Sequence, residues 1–453
     1  MLEPRAASAD APASGPLLMR AGTIEITPTA AGPLAGYAAR GDALSTGTQD
    51  PLEAGLLVLD DGRVRAAWLS IDAVAVPSAL ADRLRVAVRT GLGDPDVDLV
   101  VSASHTHSAP VGWVGSIHPG HSGVVDPATV AELTHRLTVL ATDLAGRPAE
   151  SVVASWSHHR AVGLGANRLD PAGPHDDRIG VLILRSAETG ALRALALDAA
   201  NHPTVFGPTN LRWSADWPGA ARRVLRAAAA AVNETSGSTA SAPIVVFLQG
   251  AAGDASARFT RRGADAAEVS RLGTIAAAAA IHAIAHDGFQ LESRIRHLAR
   301  TIELQRRPLP SVAAMERELA DATAARGRLA TLPPLDPRVR LAQSRLDGAL
   351  VQRSLVIANP KPTIRFPISA TAIGDLALMH VPVELFTSIA DRICSDSPFA
   401  VTRIVGYADD YLGYMVDESA FEHATYEALS SLFLPSAAED LVREAHRLLK
   451  EIR

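Results

Sequence analysis

The chain of 453 residues contains one cysteine, Cys394. An intramolecular disulfide therefore cannot form, and four-cysteine zinc sites and cysteine-held iron–sulfur clusters are excluded. Aromatic residues are scarce as well: nine Phe, five Tyr and five Trp make up 4% of the chain. No run approaches the ~20 apolar residues that a membrane-spanning helix needs. The Ala-rich segment Ile275–His286 is too short and carries His282 and His286, so it reads as a buried helix. There is no basic excess: 43 Lys and Arg stand against 49 Asp and Glu, a formal net charge of −6. That balance argues against general nucleic-acid binding. What is there, 47% hydrophobic and 20% charged residues, is the composition of a globular protein with a large core.

The first eighteen residues are rich in Ala, Pro and Ser and lack the apolar core of a signal peptide. They read as a disordered leader, and residues 19–453 as one folded unit in the cytoplasm. Beyond them, short β-type runs alternate with helical ones. Strands are expected at Leu56–Asp60, Ala66–Ile71, Val97–Ala103, Ile244–Leu248, Ala370–His380 and Ala400–Tyr407. Gly180–Leu184 and Leu192–Leu197 flank a turn and predict a hairpin. Helical spacing marks Ala79–Thr90, Asp216–Asn233, Glu268–His286 and Ala438–Ile452. Met315–Ala325 and Arg338–Leu355, separated by a proline-rich turn, predict a helical hairpin inserted at 312–356. The interleaving indicates an α/β fold, with α+β as the variant, built on a mixed β-sheet core flanked by helices.

Four segments carry chemistry. His105 and His107 follow the strand at Val97–Ala103; in extended backbone, residues two apart face the same side, so both can meet one pocket. His202 follows the second strand of the hairpin, and Pro203 after it favours an extended conformation there. The buried strand Ile244–Leu248 runs into a glycine-rich turn, Gly250–Gly253, followed by Asp254 and Ser256. Such a turn brings backbone close to a ligand, and Ser256 is a candidate nucleophile or substrate contact. Glu384 follows a strand and Pro382. Next comes a run in which four of the five tyrosines, Tyr407, Tyr411, Tyr414 and Tyr426, are clustered. In a chain this poor in aromatics, clustered phenols suggest metal binding, oxyanion stabilisation or proton donation.

Taken in order, Gly36-Tyr37-Ala38, His105-Thr106-His107-Ser108, Asn167-Arg168, His202-Pro203-Thr204, Gly253-Asp254-x-Ser256, Pro382-x-Glu384 and Tyr411-x-x-Tyr414 resemble the neutral/alkaline, non-lysosomal ceramidase family, over about residues 20–430. The resemblance implies a zinc-dependent hydrolase that uses a zinc-activated water to cleave the amide between an acyl group and an amine. It places one Zn2+ on His105, His202, Glu384 and Tyr414. It assigns catalytic roles to His107, Ser256, Arg168 and Tyr411, and substrate contacts to Asn167, Gly253 and Asp254. The partner it implies is a small acyl-amide or lipid-like substrate. An ester or lactone substrate, or amide formation, would use the same polarised carbonyl; an inactive binding protein is the third alternative. The longer members carry a C-terminal immunoglobulin-like domain, which is not expected here. This chain also reads Ser256-Ala257-Arg258 where the family has Ser-Pro-Asn. Arg258 near the pocket points to a smaller or anionic acyl-amide.

Overall fold

A computed structural model of the chain describes residues 16–117, 123–235, 242–286, 288–333 and 336–453. Residues 1–15 of the expected leader, and part of the turn inside the helical insert, lie outside the described residues. Leu17 and Leu18, placed in the leader by composition, instead begin the first strand, and Leu17 is buried.

The larger sheet uses eight strands: Leu17–Glu25 (β1), Glu53–Asp60 (β2), Arg65–Ile71 (β3), Asp98–Ala103 (β4), Glu150–Arg160 (β5), Arg178–Ser186 (β6), Leu192–Ala199 (β7) and Ile244–Gln249 (β8). Their order is β8-β7-β6-β5-β1-β2-β3-β4, with the short strand Phe289–Gln290 added to β5. The pairs β7/β8 and β3/β4 are parallel and the rest antiparallel. A second sheet has the order Ile295–Gln305 (β9), Thr363–Ile373 (β10), Leu376–His380 (β11) and Val401–Val405 (β12), with β11/β12 parallel. The segment Ala370–His380, expected as one strand, is a hairpin. Gly374 turns it at φ +54°, where an added Cβ would stand 2.7 Å from the Glu292 backbone nitrogen.

Side-chain alternation shows how the layers stack. On β2, Leu56 and Val58 face one core while Leu57 and Leu59 face another. On β7, Leu195 and Leu197 point to one side and Ala194 and Ala196 to the other. On β11, Leu376 and Leu378 join the same central core as Leu57, whereas Ala377 and Met379 face outward. The inner strands of both sheets, such as β2, β7 and β11, are therefore buried on both faces and mainly apolar, whereas β5 and the edge strand β9 carry polar residues on an exposed face. Helices Ser78–Leu92 and Pro127–Ala145 cover β1–β4, and Asp216–Thr235 and Ala266–Ala285 cover β6–β8. Thr387–Ser395 and Ala437–Glu451 cover the second sheet. The result is helix, sheet, sheet, helix: the expected mixed β core flanked by helices, but built from two stacked sheets rather than one. Among the described residues no helix is long and apolar enough to cross a membrane.

The expected insert forms two helices, Val312–Gly327 and Pro337–Ala358. The pairs Arg326–Gln343, Glu318–Arg345 and Glu316–Arg353 run in opposite chain directions, so the helices are antiparallel. Gly348 lets the second helix approach Tyr426 and Leu429 closely.

Candidate metal centre

All the candidate segments but Asn167-Arg168 leave the carboxyl end of a strand in a parallel pair: His105 after β4, His202 after β7, Gly250–Ser256 after β8, Glu384 after β11 and Tyr407–Tyr414 after β12. Binding sites of α/β sheets collect at such ends. The two halves of the large sheet meet where the Ser70 hydroxyl on β3 donates to the Phe247 carbonyl on β8. That contact brings the ends of β4 and β8 to one place.

His105 and His107 do face one site, but not through the extended backbone that their spacing suggested. His105 sits at φ +66°, in the left-handed region. Its ring is stacked on Tyr407 at 4.2 Å, and Tyr407 is itself left-handed at φ +54°. The tyrosine segment runs back along β4: the Ala103 amide donates to the Tyr407 carbonyl (3.2 Å) and the Asp409 amide to the Val101 carbonyl (2.8 Å). Left-handed non-glycine residues cluster where surrounding structure holds strain in place for function.

Two imidazoles are anchored alike. Nδ1 of His105 lies 2.5 Å from the Val74 carbonyl, and Nδ1 of His202 lies 2.6 Å from the Ala252 carbonyl. Each carbonyl fixes the N–H on Nδ1 and leaves the Nε2 lone pair facing inward, the usual arrangement of a metal-ligating histidine. The two Nε2 atoms meet one oxygen of Glu384, at 3.4 Å from His105 and 2.9 Å from His202. His107 differs. Its Nε2 is 3.3 Å from that of His105, but its Nδ1 is buried with no hydrogen-bond partner, so nothing fixes its tautomer. His105, His107 and His202 offer ring nitrogens within 4.8 Å of one another.

Electrostatics suit a cation. Burial alone would raise the Glu384 carboxyl, but the His105 and His202 imidazoles hold it well below the usual carboxylate range. Burial and the neighbouring Arg168 guanidinium lower His202 to about 4, and burial with the adjacent imidazoles lowers His107 well below its ordinary value. The Nε2 lone pair of His202 beside the ionised Glu384 carboxylate is of the donor type that zinc accepts.

The remaining candidates surround this centre. The Tyr411 hydroxyl donates to the second oxygen of Glu384 at 2.5 Å. Tyr414 pairs through its backbone with Glu384, and its ring lies under the Arg168 guanidinium, 5.4 Å from the centroid. Arg168 donates from Nε to Glu427 (2.7 Å), and its Nη1 is 3.2 Å from His202 Nε2. Burial would lower its pKa; Tyr414, Glu427 and Glu384 raise it well above the ordinary value. Ser256 is buried, bridges to the His202 backbone and accepts from the Arg258 amide at 3.3 Å.

The three residues expected as substrate contacts are tied into the frame of the site by hydrogen bonds and backbone packing. Asn167 donates to Asp254 (2.9 Å) and to the Pro174 carbonyl (2.9 Å) and accepts from the Leu169 amide. The other Asp254 oxygen accepts from the Thr387 amide and hydroxyl. Gly253 packs its backbone on that of Glu384.

Three positions were missed or left unassigned by sequence reasoning. Tyr407 was visible as a member of the tyrosine cluster. Gly36, at φ +96°, lies where an added Cβ would be 2.5 Å from His107 Cγ, so it shapes the seat of that ring. Glu427 carried no local signal; only the fold brings it 259 residues along the chain to Arg168.

Fold and site together define a four-layer α/β protein with a buried His/Glu centre at its strand ends. The fold is that of the neutral ceramidases. A ceramidase solved in complex with C2 superposes with a TM-score of 0.73 at 17% identity, over 96% of this chain and 75% of that one. The neutral ceramidase of Pseudomonas aeruginosa gives 0.74 at 19% identity with the same coverage. No family model and no curated protein matches the sequence.

Proposed function

We propose that the protein is a zinc-dependent hydrolase of N-acyl amides. The observation that carries this reading is the convergence of two Nδ1-anchored imidazoles on the Glu384 carboxylate, in the fold of the neutral ceramidases. His105, His202 and Glu384 would hold one ion, with Tyr414 as the fourth ligand that the family resemblance suggests. When bound, zinc supplies Lewis acidity: it lowers the pKa of a coordinated water and polarises a carbonyl.

The protein's own groups do the rest. In the net reaction, water oxygen bonds to the acyl carbon, the C–N bond breaks, and a carboxylic acid and an amine leave. His107 is neutral and half-buried, with its buried Nδ1 free of a hydrogen-bond partner. It takes the proton that the attacking water loses and returns it to the amide nitrogen as the C–N bond breaks. Tyr411 donates to Glu384 and keeps that carboxylate oriented. Arg168, fixed by Glu427, offers its remaining N–H groups to the developing oxyanion or the carboxylate product. Ser256 and the adjoining turn hold the substrate against the centre.

The test has two arms. The purified protein is expected to hold about one zinc per chain, as a single four-ligand site requires. His105→Ala and Glu384→Ala are expected to lose it. The zinc-loaded protein is also expected to cleave at least one member of a panel of N-acyl amides of varied chain length and head group, assayed beside matched esters and lactones. Full metal content in both variants refutes the ligand set. A zinc-loaded protein that hydrolyses no amide refutes the activity and leaves the ester or binding readings.

A further inference from the structure

Positive charge without an ion-pair partner lies beside the segments that carry the centre. Arg258 and Arg261 leave the turn that follows Ser256, and each is clamped to a backbone that also carries site residues. Arg258 Nη1 donates to the Arg168 carbonyl at 3.1 Å. Arg261 Nη1 donates to the carbonyls of Thr204 and Val205 at 3.0 and 3.1 Å, just beyond His202. Arg340 lies in the first turn of the inserted helix Pro337–Ala358, close enough to Arg258 and Arg261 for the charges to interact. All three are partly exposed, so solvent and ligands reach them. Among the described residues none of the three forms an ion pair with Asp or Glu, whereas about half of the chain's arginines do. The carboxylate of Glu427 attracts Arg258 but is already bonded to Arg168. The three also repel one another. Burial and then Arg168 lower the Arg258 guanidinium to about 10, and burial and then Arg261 lower Arg340. Guanidinium groups withdrawn from water without counter-charge are costly, and an anion placed among them removes the cost.

We propose that Arg258, Arg261 and Arg340 form an anion-binding rim that selects N-acyl amides whose head group carries a carboxylate or a phosphate, in preference to neutral lipid amides. The rim deepens the amidase reading and rests on it for the kinetic test. Guanidinium forks bind either anion in a bidentate manner, and the two lie within the reach of one cluster.

Three substrates with one acyl chain separate the possibilities: an N-acylglycine (carboxylate), an N-acyl phosphoethanolamine (phosphate) and an N-acylethanolamine (neutral). The wild-type protein is expected to cleave one or both charged amides with kcat/KM at least tenfold above the neutral one. Arg340→Met and Arg261→Met are expected to lower that ratio at least tenfold, chiefly through KM. Arg258→Lys, which keeps the charge but not the fork, should lower it less than Arg258→Met. Metal content and Tm, measured on each variant, identify any that misfold, and the remaining variants decide. A wild-type ratio near one, or variants that leave the ratio unchanged, overturns the proposal. If the wild-type protein cleaves none of the three, the wider panel of N-acyl amides decides the amidase reading and calorimetry tests the rim by itself. Binding of N-acylglycine at least tenfold weaker in Arg340→Met supports it; equal binding of N-acylglycine and N-acylethanolamine overturns it.

Discussion

Gly253 gives the sharpest test of how the backbone places the centre. Its φ is ordinary, so alanine meets no conformational strain there; the obstacle is space. A Cβ at this position would lie 2.6 Å from the Glu384 carbonyl oxygen and 2.9 Å from the carbonyl carbons of Glu384 and Leu385. These are backbone atoms of a short strand tied to Tyr414–Met415, so no side chain can swing away. To regain an ordinary contact of 3.4 Å, the Glu384 backbone must retreat by about 0.8 Å. Functional groups need to be held within about 0.5 Å of their productive geometry. The displacement exceeds that tolerance, and it falls on the carboxylate that both His105 and His202 contact. Overpacking of this kind costs about 1–3 kcal/mol. For a chain of this length that is roughly a 1–3 °C fall in Tm. Misplacement by about 1 Å near the chemistry costs on the order of 100-fold in rate. Gly253→Ala is therefore expected to fold, to melt slightly lower, to bind zinc more weakly and to lose on the order of 100-fold in kcat. Gly327→Ala, with nothing within 4 Å of its Cβ, is the control and should be neutral or gain about 0.4–1 kcal/mol. Calorimetric melting, elemental analysis and steady-state kinetics read the three quantities. A Gly253→Ala protein with full zinc and full kcat would refute the claim that this glycine sets the position of Glu384.

The other predictions concern buried charge and the stacked sheets. Arg168→Met leaves Glu427 buried without its partner and should cost about 3–5 kcal/mol in chemical denaturation, while adding Glu427→Gln should recover part of that loss; a double variant no more stable than the single one contradicts the pairing. His380 on β11 joins the two sheets: its Nε2 accepts the Trp68 indole N–H at 3.1 Å, and its Nδ1 faces the Ser369 carbonyl. Burial, with His297 nearby, lowers it to about 3, below the unfolded value near 6.5, so the unfolded chain takes up the proton first. Its contribution is present above about pH 6.5 and is lost as pH falls, by about 1.4 kcal/mol per unit or about 2 kcal/mol at pH 5. His380→Leu should show a drop in stability between pH 7.5 and pH 5 that is smaller than the wild-type drop by that amount, and equal drops would sink the assignment. Gly36→Ala should perturb the His107 ring and lower kcat while leaving the zinc content near one per chain, because Gly36 presses on the unanchored imidazole and not on those of His105 and His202; loss of zinc would place His107 among the ligands.

What the sequence revealed and what it concealed divide along physical lines. Strand ends, the glycine-rich turn and the two inserted helices were legible because apolar periodicity and turn residues are local signals. The stacking of two sheets was not, because a strand buried on both faces reads as a continuous apolar run whichever layer covers it. β1 was lost to a composition argument, since Leu17 and Leu18 adjoin an Ala- and Pro-rich stretch. Within the site, residue types were legible and roles less so. His105 and His202 show the difference: nothing in either local motif names its anchoring carbonyl, from Val74 in one case and Ala252 in the other. Those carbonyls separate the two anchored imidazoles from His107. Without them, His105 and His107 are an equivalent pair two residues apart; with them, one is set to hold a cation and the other is free to carry a proton. Asn167, Gly253 and Asp254 show how much the fold adds to a motif. Their motif marked them as close to the chemistry, which they are, and the fold adds the hydrogen bonds of Asn167 and Asp254 and the backbone contact of Gly253, which frame Glu384 and Arg168. A motif records that a residue is needed at a site, whereas its remaining bonding capacity decides what it does there. The same criterion singles out Arg258, Arg261 and Arg340, whose guanidinium groups still have capacity to bind an anion.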